Sequence, residues 1–149
     1  MTPRPLRQSD LDELMALWLH STTQAHPFIE PAYWRESAAA LRERYLPSAC
    51  TWVAGRAGEM DGFISVFDER FIGALFVHPA RLGQGTGHAL LRHVQRRSRW
   101  LSLEVYEQNQ RACAFYRRHG FRVAERLFNE ETQHWTLIMN WWAPGQIGF

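Results

Sequence analysis

Leu101-Ser-Leu-Glu-Val-Tyr-Glu-Gln-Asn-Gln-Arg-Ala-Cys-Ala-Phe-Tyr-Arg-Arg-His-Gly-Phe121 is the stretch that decides the fold. From Trp100 to Tyr106 the residues alternate, with Leu101, Leu103 and Val105 on one side and Ser102, Glu104 and Tyr106 on the other. That period of two predicts a half-buried strand. From about Asn109 to His119 the pattern is helical, and Gly120 is a helix-terminating glycine. Phe121 to Arg126 and Trp135 to Trp141 then predict two more strands.

Upstream lies Leu82-Gly-Gln-Gly-Thr-Gly-His, after a predicted strand over 71–77 and before a helix with Leu90, Leu91 and Val94 on one face. Such a turn aligns backbone N–H groups, and a helix N-terminus adds about half a positive charge, so together they suit a phosphate. A dinucleotide fingerprint needs glycine where His88 stands, and a P-loop needs Gly-Lys-Ser/Thr where Gly87-His88 stands. A plain turn with three alternating glycines stays open at this point. Arg92, Arg96, Arg97 and Arg99 lie too far down the helix to reach the turn, Arg97 being roughly 18 Å from Gly85 at ~1.5 Å per residue. They are expected to form a solvated face.

Toward the N-terminus, Ser9 or Asp10 is expected to cap a helix carrying Leu11, Leu14, Met15, Leu17 and Trp18, which fades at Ser21-Thr-Thr. Pro27 forbids its continuation. A second helix follows Pro31 and stops near Pro47. Strands are expected at Thr51–Ala54 and Gly62–Phe67, with turns at Gly55–Gly58 and Asp68-Glu69. The strand–helix–strand unit in the middle implies a parallel pair within an otherwise antiparallel sheet.

Phe76-Val-His-Pro-Ala-Arg-Leu-Gly-Gln-Gly-Thr-Gly-His-Ala-Leu-Leu resembles the acetyl-CoA motif of the GNAT acetyltransferase superfamily. The stretch 101–121 resembles that family's Leu-x-Val-x-x-x-Asn-x-x-Ala-x-x-Phe-Tyr-x-x-x-Gly-Phe at every position. Together with the flanking elements, the resemblance spans nearly the whole chain. It implies an α/β GNAT fold, a mixed central sheet of about six to seven strands flanked by about four helices, in one domain over residues 1–149. It implies acetyl transfer from acetyl-CoA to a primary amine. Phe76, Val77, Leu82, Gly83, Gln84, Gly85, Thr86, Gly87, His88, Asn109 and Ala112 become the expected cofactor-binding residues. Leu82 departs from the family's Gln/Arg, which removes a side-chain contact but leaves the backbone donors.

A lysine amine of pKa ~10.4 is mostly protonated at neutral pH, so a base must take its proton and an acid must protonate the departing thiolate. Tyr116 matches the family's general acid. Glu104 is the candidate base, since Leu-Glu-Val at this spacing looks like the ribosomal-protein N-terminal acetyltransferases; a strand-end carboxylate facing solvent is the other reading. On the acceptor side His26, Phe28 and Phe71 are expected to contact substrate, in a segment that looks like bacterial protein-lysine acetyltransferases. His26 as a second base, or as a structural loop histidine, stays open.

Apolar residues make up 46% and charged residues 21% of the 149 residues, the balance of a soluble globular protein. A formal charge of +2 without a basic stripe argues against nucleic acid as a partner. No metal and no membrane is expected. Cys50 and Cys113 form no CxxC pair and are expected as free, partly buried thiols in a reducing, cytoplasmic setting. Expected partners are acetyl-CoA and a protein, peptide or small amine, with the chain a monomer or homodimer. The alternatives are a small-molecule amine acetyltransferase and a non-catalytic acetyl-CoA sensor.

Overall fold

The computed structural model describes residues 2–56 and 59–145. Seven strands form one sheet in the order β1-β2-β3-β4-β5-β7-β6. They are β1 (Arg4–Pro5), β2 (Cys50–Ala54), β3 (Gly62–Phe67), β4 (Phe71–Val77), β5 (Trp100–Tyr106), β6 (Arg122–Asn129) and β7 (His134–Trp142). Every neighbouring pair is antiparallel except β4 and β5, which are joined through a helix and run parallel. Four α-helices cover the sheet: α1 (Leu11–Ala25), α2 (Pro31–Ala40), α3 (Thr86–Gln95) and α4 (Gln110–Arg118).

Side chains alternate across the sheet into two cores. Leu90, Leu91 and Val94 of α3 and Cys113 and Tyr116 of α4 pack on Ile64, Ile72, Leu101, Leu103, Val105 and Met139. On the other face Leu14, Leu17 and Trp18 of α1 pack on Val53 and Phe63. Leu101, Leu103 and Val105 are buried while Ser102, Glu104 and Tyr106 are not, as period-two alternation demands. The β3–β4 hairpin turns through Asp68, Glu69 and Arg70 between the paired residues Phe67 and Phe71; Asp68 and Glu69, with φ angles of 53° and 61°, are both left-handed, and the Arg70 N–H closes the turn on the Phe67 carbonyl at 3.1 Å. Part of the expected turn over 55–58 lies outside the described residues.

Three expectations at the level of elements need correction. Asp10 does not cap α1 with its side chain; its carboxylate accepts the Arg7 N–H at 2.8 Å and pairs with Arg4, tying β1 to the start of the helix. Nor does α1 fade at Ser21. It runs to Ala25 because its hydroxyls find partners in the fold: Ser21 Oγ donates to the Val77 carbonyl, and Thr22 Oγ1 meets His26 Nδ1. Of the two free thiols, Cys113 is buried but Cys50 is exposed. The C-terminal tryptophans divide: Trp142 stacks on Trp100 and Trp141 lies against Phe121, whereas Trp135 is exposed beneath the Arg126 guanidinium. Among the described residues no helix is long and apolar enough to cross a membrane.

His93 on α3 is buried against Trp52, with its Nε2 hydrogen-bonded to none of the described residues. Burial, helped by Arg97 and Arg96, holds its pKa below the ordinary imidazole value. As pH falls through about 6.5 the unfolded chain takes up a proton here before the folded chain does, so stability present above that pH is lost on acidification. The lowered pKa of buried His26 acts in the same direction. The melting temperature is therefore expected to drop between about pH 7.5 and 5.5, and His93→Phe to flatten part of that slope. A slope identical in the variant would remove His93 from this account.

Candidate active site

Pairing between β4 and β5 is confined to Phe71↔Ser102 and Ile72↔Leu103. Beyond that point β4 continues to Val77 and β5 to Tyr106 without pairing to each other, so the sheet opens into a gap. The backbone on both banks points into it. His78 N–H donates to the Asp61 carbonyl at 2.7 Å, one step past the pair Gly62↔Val77, which makes that pair the non-hydrogen-bonded kind. Val77's own N–H and C=O therefore turn away from β3. By the same logic the Glu107 N–H bond to the Trp135 carbonyl turns the Tyr106 backbone away from β7. The Tyr106 carbonyl then accepts the Asn109 N–H at 2.9 Å.

Two clefts meet at this gap. The larger, of about 630 Å³, runs along the glycine loop and the start of α3. Gly83 and Gly85 have φ of 78° and 86°, and a Cβ at either would meet no atom within 4 Å. Glycine is there for the left-handed backbone, and the space above the loop is open. Gly85 precedes α3 with no side-chain cap, and the first helical bond runs from Ala89 to the Gly85 carbonyl. The N–H groups of Thr86, Gly87 and His88 are therefore free of helical partners, at the positive end of the helix dipole. At Gly87 a Cβ would reach only ordinary contact with the Phe115 ring, at 3.4 Å, where α3 meets α4.

Most of the expected cofactor-binding residues line this cleft: Phe76, Val77, Leu82, Gly83, Gly85, Thr86, Gly87, His88, Asn109 and Ala112. Gln84 does not. The structure also brings in cations that the sequence reading passed over. Arg92, Arg96, Arg97 and Arg99 are exposed elsewhere, while Arg81, Arg111 and Arg118 line the cleft. Arg111 and Arg118 stand seven apart on one helix face, a spacing visible in the sequence.

The smaller cleft, of about 210 Å³, opens on the α1–α2 face. Leu75, Phe76, Asn109, Ala112 and Tyr116 line both clefts and mark where they join. Tyr116 is buried, and its hydroxyl makes no hydrogen bond to the described residues. Burial, and then Cys113, raises its pKa well above the ordinary phenol value, so the phenol stays protonated at neutral pH. Glu104 lines the smaller cleft from the other face of the sheet, its Oε2 accepting the Thr136 hydroxyl at 2.6 Å. Asn109 caps α4 by accepting the Ala112 N–H.

His26 lines the smaller cleft and is 7% exposed. Its Nδ1 lies 2.8 Å from the Thr22 carbonyl and must donate to it, which leaves Nε2 as the acceptor. Burial keeps the ring neutral at neutral pH by lowering its pKa, although the Thr22 bond opposes this. Phe28 stands behind this wall, packed on His26, Tyr106 and His134. Phe71 is not brought to the site. It lies in the paired start of β4, and Gly73 and Ala74 of that strand face the cleft instead. Tyr106, two residues along the strand from Glu104 and on its face, is a lining residue that the period-two pattern could have flagged.

Residues 47–123 match the family model described as the acetyltransferase (GNAT) domain. The chain belongs to the GNAT acetyltransferase family. It is an N-acetyltransferase, and enzymes of this family use acetyl-CoA as co-substrate. It is 42% identical over 138 residues to the peptidyl-lysine N-acetyltransferase YiaC of Escherichia coli (strain K12), covering 93% of this chain and 94% of that one. It is 36% identical over 124 residues to the peptidyl-lysine N-acetyltransferase YjaB of Salmonella typhimurium, covering 83% and 84%. The solution structure of apo-form YjaB from Escherichia coli superposes with a TM-score of 0.81 at 29% identity, over 94% of this chain and 96% of that one.

Proposed function

We propose that this GNAT enzyme acetylates the ε-amine of a lysine side chain in a protein or peptide. The observation that carries the reading is the junction of the two clefts in the β4–β5 gap, with Tyr116 at the junction and Glu104 and His26 on the acceptor side. The naming of two relatives as peptidyl-lysine acetyltransferases supports the acceptor class.

Bound acetyl-CoA supplies the acetyl thioester. The free N–H groups of Thr86, Gly87 and His88, with Arg81, Arg111 and Arg118 beside them, fit its phosphates. Val77's backbone and Asn109 fit the pantetheine arm, in the manner of an added strand along the open edge of β4. On the acceptor side the Glu104 carboxylate takes a proton from the lysine ammonium, since Thr136 occupies one oxygen and leaves the other free. His26 Nε2 accepts a hydrogen bond from the amine and orients it. Tyr116 Oη holds the proton that the departing thiolate needs.

The test compares a peptide with a free lysine and a blocked N-terminus against one with a free N-terminus and no lysine. Acetyl transfer is expected to the first. Transfer to the second alone would overturn the acceptor assignment. With the lysine peptide, Glu104→Gln is expected to lower the rate at pH ~7 by roughly 10²-fold. Raising the pH to ~9 should recover most of that loss, because more of an amine with pKa ~10.4 is then neutral without help. A variant as fast as wild type across this range would pass the role of base to His26 or to water.

A further inference from the structure

Two histidines meet at the rim of the cofactor cleft. His88 stands in the first turn of α3, His119 closes α4 as its C-cap, and both line the cleft. His88 Nδ1 lies 2.8 Å from His119 Nε2, and His119 Nδ1 lies 2.9 Å from the Phe115 carbonyl. A carbonyl only accepts, so His119 Nδ1 carries a proton and donates it there. His119 Nε2 is then the acceptor, and His88 Nδ1 must donate to it. The relay fixes both tautomers, and the nitrogen left with a lone pair is His88 Nε2, on an exposed ring. His119 is held in place by the Phe115 ring 4.4 Å away, and its carbonyl accepts the Gln95 side-chain N–H at 3.0 Å.

The surroundings are those of an anion site. Arg81, Arg111 and Arg118 line the same cleft, and among the described residues no aspartate or glutamate does. Glu59 and Asp61 pair with Arg81 from the segment before β3. Arg92 follows one turn along α3 from His88, and α1 contributes only the uncharged Ser21, Gln24 and Ala25. The other titratable group that α4 brings to the cleft is Tyr116, which stays protonated. Thr86 also lines the cleft; it is 2% exposed, and its Oγ1 hydrogen-bonds to none of the described residues. A buried hydroxyl without a protein partner is one that a ligand oxygen can satisfy. A phosphate held by that hydroxyl and the free N–H groups of the first turn shares that turn with His88.

We propose that His88 and His119 form a proton-linked anion site, in which acetyl-CoA binding draws one proton onto His88 Nε2 and the charged ring donates to a phosphate oxygen. The proton comes from solvent and returns to it when CoA leaves. The bond from His88 Nδ1 to His119 Nε2 becomes charge-assisted, so the imidazolium gains a second partner inside the protein. His88 makes the contact and His119 is the positioning residue. The site rests on the reading that the cofactor's phosphates sit at the α3 N-terminus, and it is independent of which amine is acetylated. Linkage is reciprocal: a ligand that takes up a proton on binding binds more tightly as pH falls.

Isothermal titration calorimetry of acetyl-CoA into the protein, at pH ~7 in buffers of different ionisation enthalpy, counts the protons exchanged. Net uptake is expected, with affinity about fivefold tighter at pH ~6 than at pH ~8, the range in which imidazoles ordinarily change charge. His88→Gln should lose that uptake and flatten the pH dependence. His119→Phe, which keeps a ring beside Phe115 but offers no acceptor, should lose most of it. His93→Phe, buried against Trp52 and away from the cleft, should keep it. The cofactor's own phosphate titrates equally in every variant, so the difference from wild type isolates the pair. The imidazole C–H resonances of His88 should also move to the imidazolium position when acetyl-CoA is added at pH ~7, a reading that needs no variant. No uptake by wild type, or unchanged uptake in His88→Gln, would overturn the site while leaving cofactor binding standing. Full uptake in His119→Phe would overturn the pairing. A wild-type protein that binds no acetyl-CoA would overturn the site and the cofactor reading together.

Discussion

Tyr116→Phe is expected to lower kcat by roughly 10²-fold or more while acetyl-CoA binding and folding persist. The ring's packing survives the change, since its neighbours are Phe115 at 5.4 Å and Phe121 at 5.5 Å and both contacts are with the ring. Removing the hydroxyl strands no partner, because it bonds to none of the described residues. A buried polar group whose partner is lost costs stability, but one that had no partner costs little to delete. The variant's melting temperature should therefore stay near wild type, which separates lost chemistry from lost fold. The direction of the phenol's shift adds a second readout. With its pKa raised, Tyr116 stays protonated throughout the range in which an ordinary phenol starts to ionise at about 10. Wild-type kcat should therefore show no alkaline fall attributable to this residue below that pH. A Phe variant with wild-type kcat would mean that water protonates the thiolate.

The stretch from Leu101 to Phe121 was legible because everything it encodes is local. Alternation, a helix cap at Asn109 and a stop at Gly120 lie within one run of chain, and the structure has them there. The glycine loop was legible for the same reason. What escaped the sequence depends on residues far apart in it. The continuation of α1 through Ser21 and Thr22 depends partly on the carbonyl of Val77, 56 residues away. The gap between β4 and β5 exists because their pairing stops after two positions, and no local pattern records where pairing stops. Phe71 was expected at the acceptor because its strand leads there, but the strand delivers its later residues to the cleft and leaves Phe71 at the paired end.

Gly85→Val is expected to abolish the rise in melting temperature that acetyl-CoA produces in the wild-type protein by mass action. Gly85 sits at φ 86° and ψ 2°, a conformation that a β-branched residue adopts only with strain of about 1–3 kcal/mol. The protein offers no steric reason to refuse the side chain, since a Cβ there meets nothing within 4 Å. Two effects on the ligand therefore remain. The backbone can relax out of the left-handed region and turn the N–H groups of Thr86 and Gly87 aside, or the new side chain can stand in the open space where the phosphates approach. Gly85→Asn separates them, because asparagine tolerates the left-handed region but still carries a Cβ. If Asn binds acetyl-CoA and Val does not, the backbone shape is what the loop contributes. If both lose binding, the empty space above the glycine is the requirement, and the loop acts by letting phosphate approach bare backbone. A Val variant that keeps the full shift would detach the glycine loop from cofactor binding, and the arginines of α4 would then have to hold the phosphates alone.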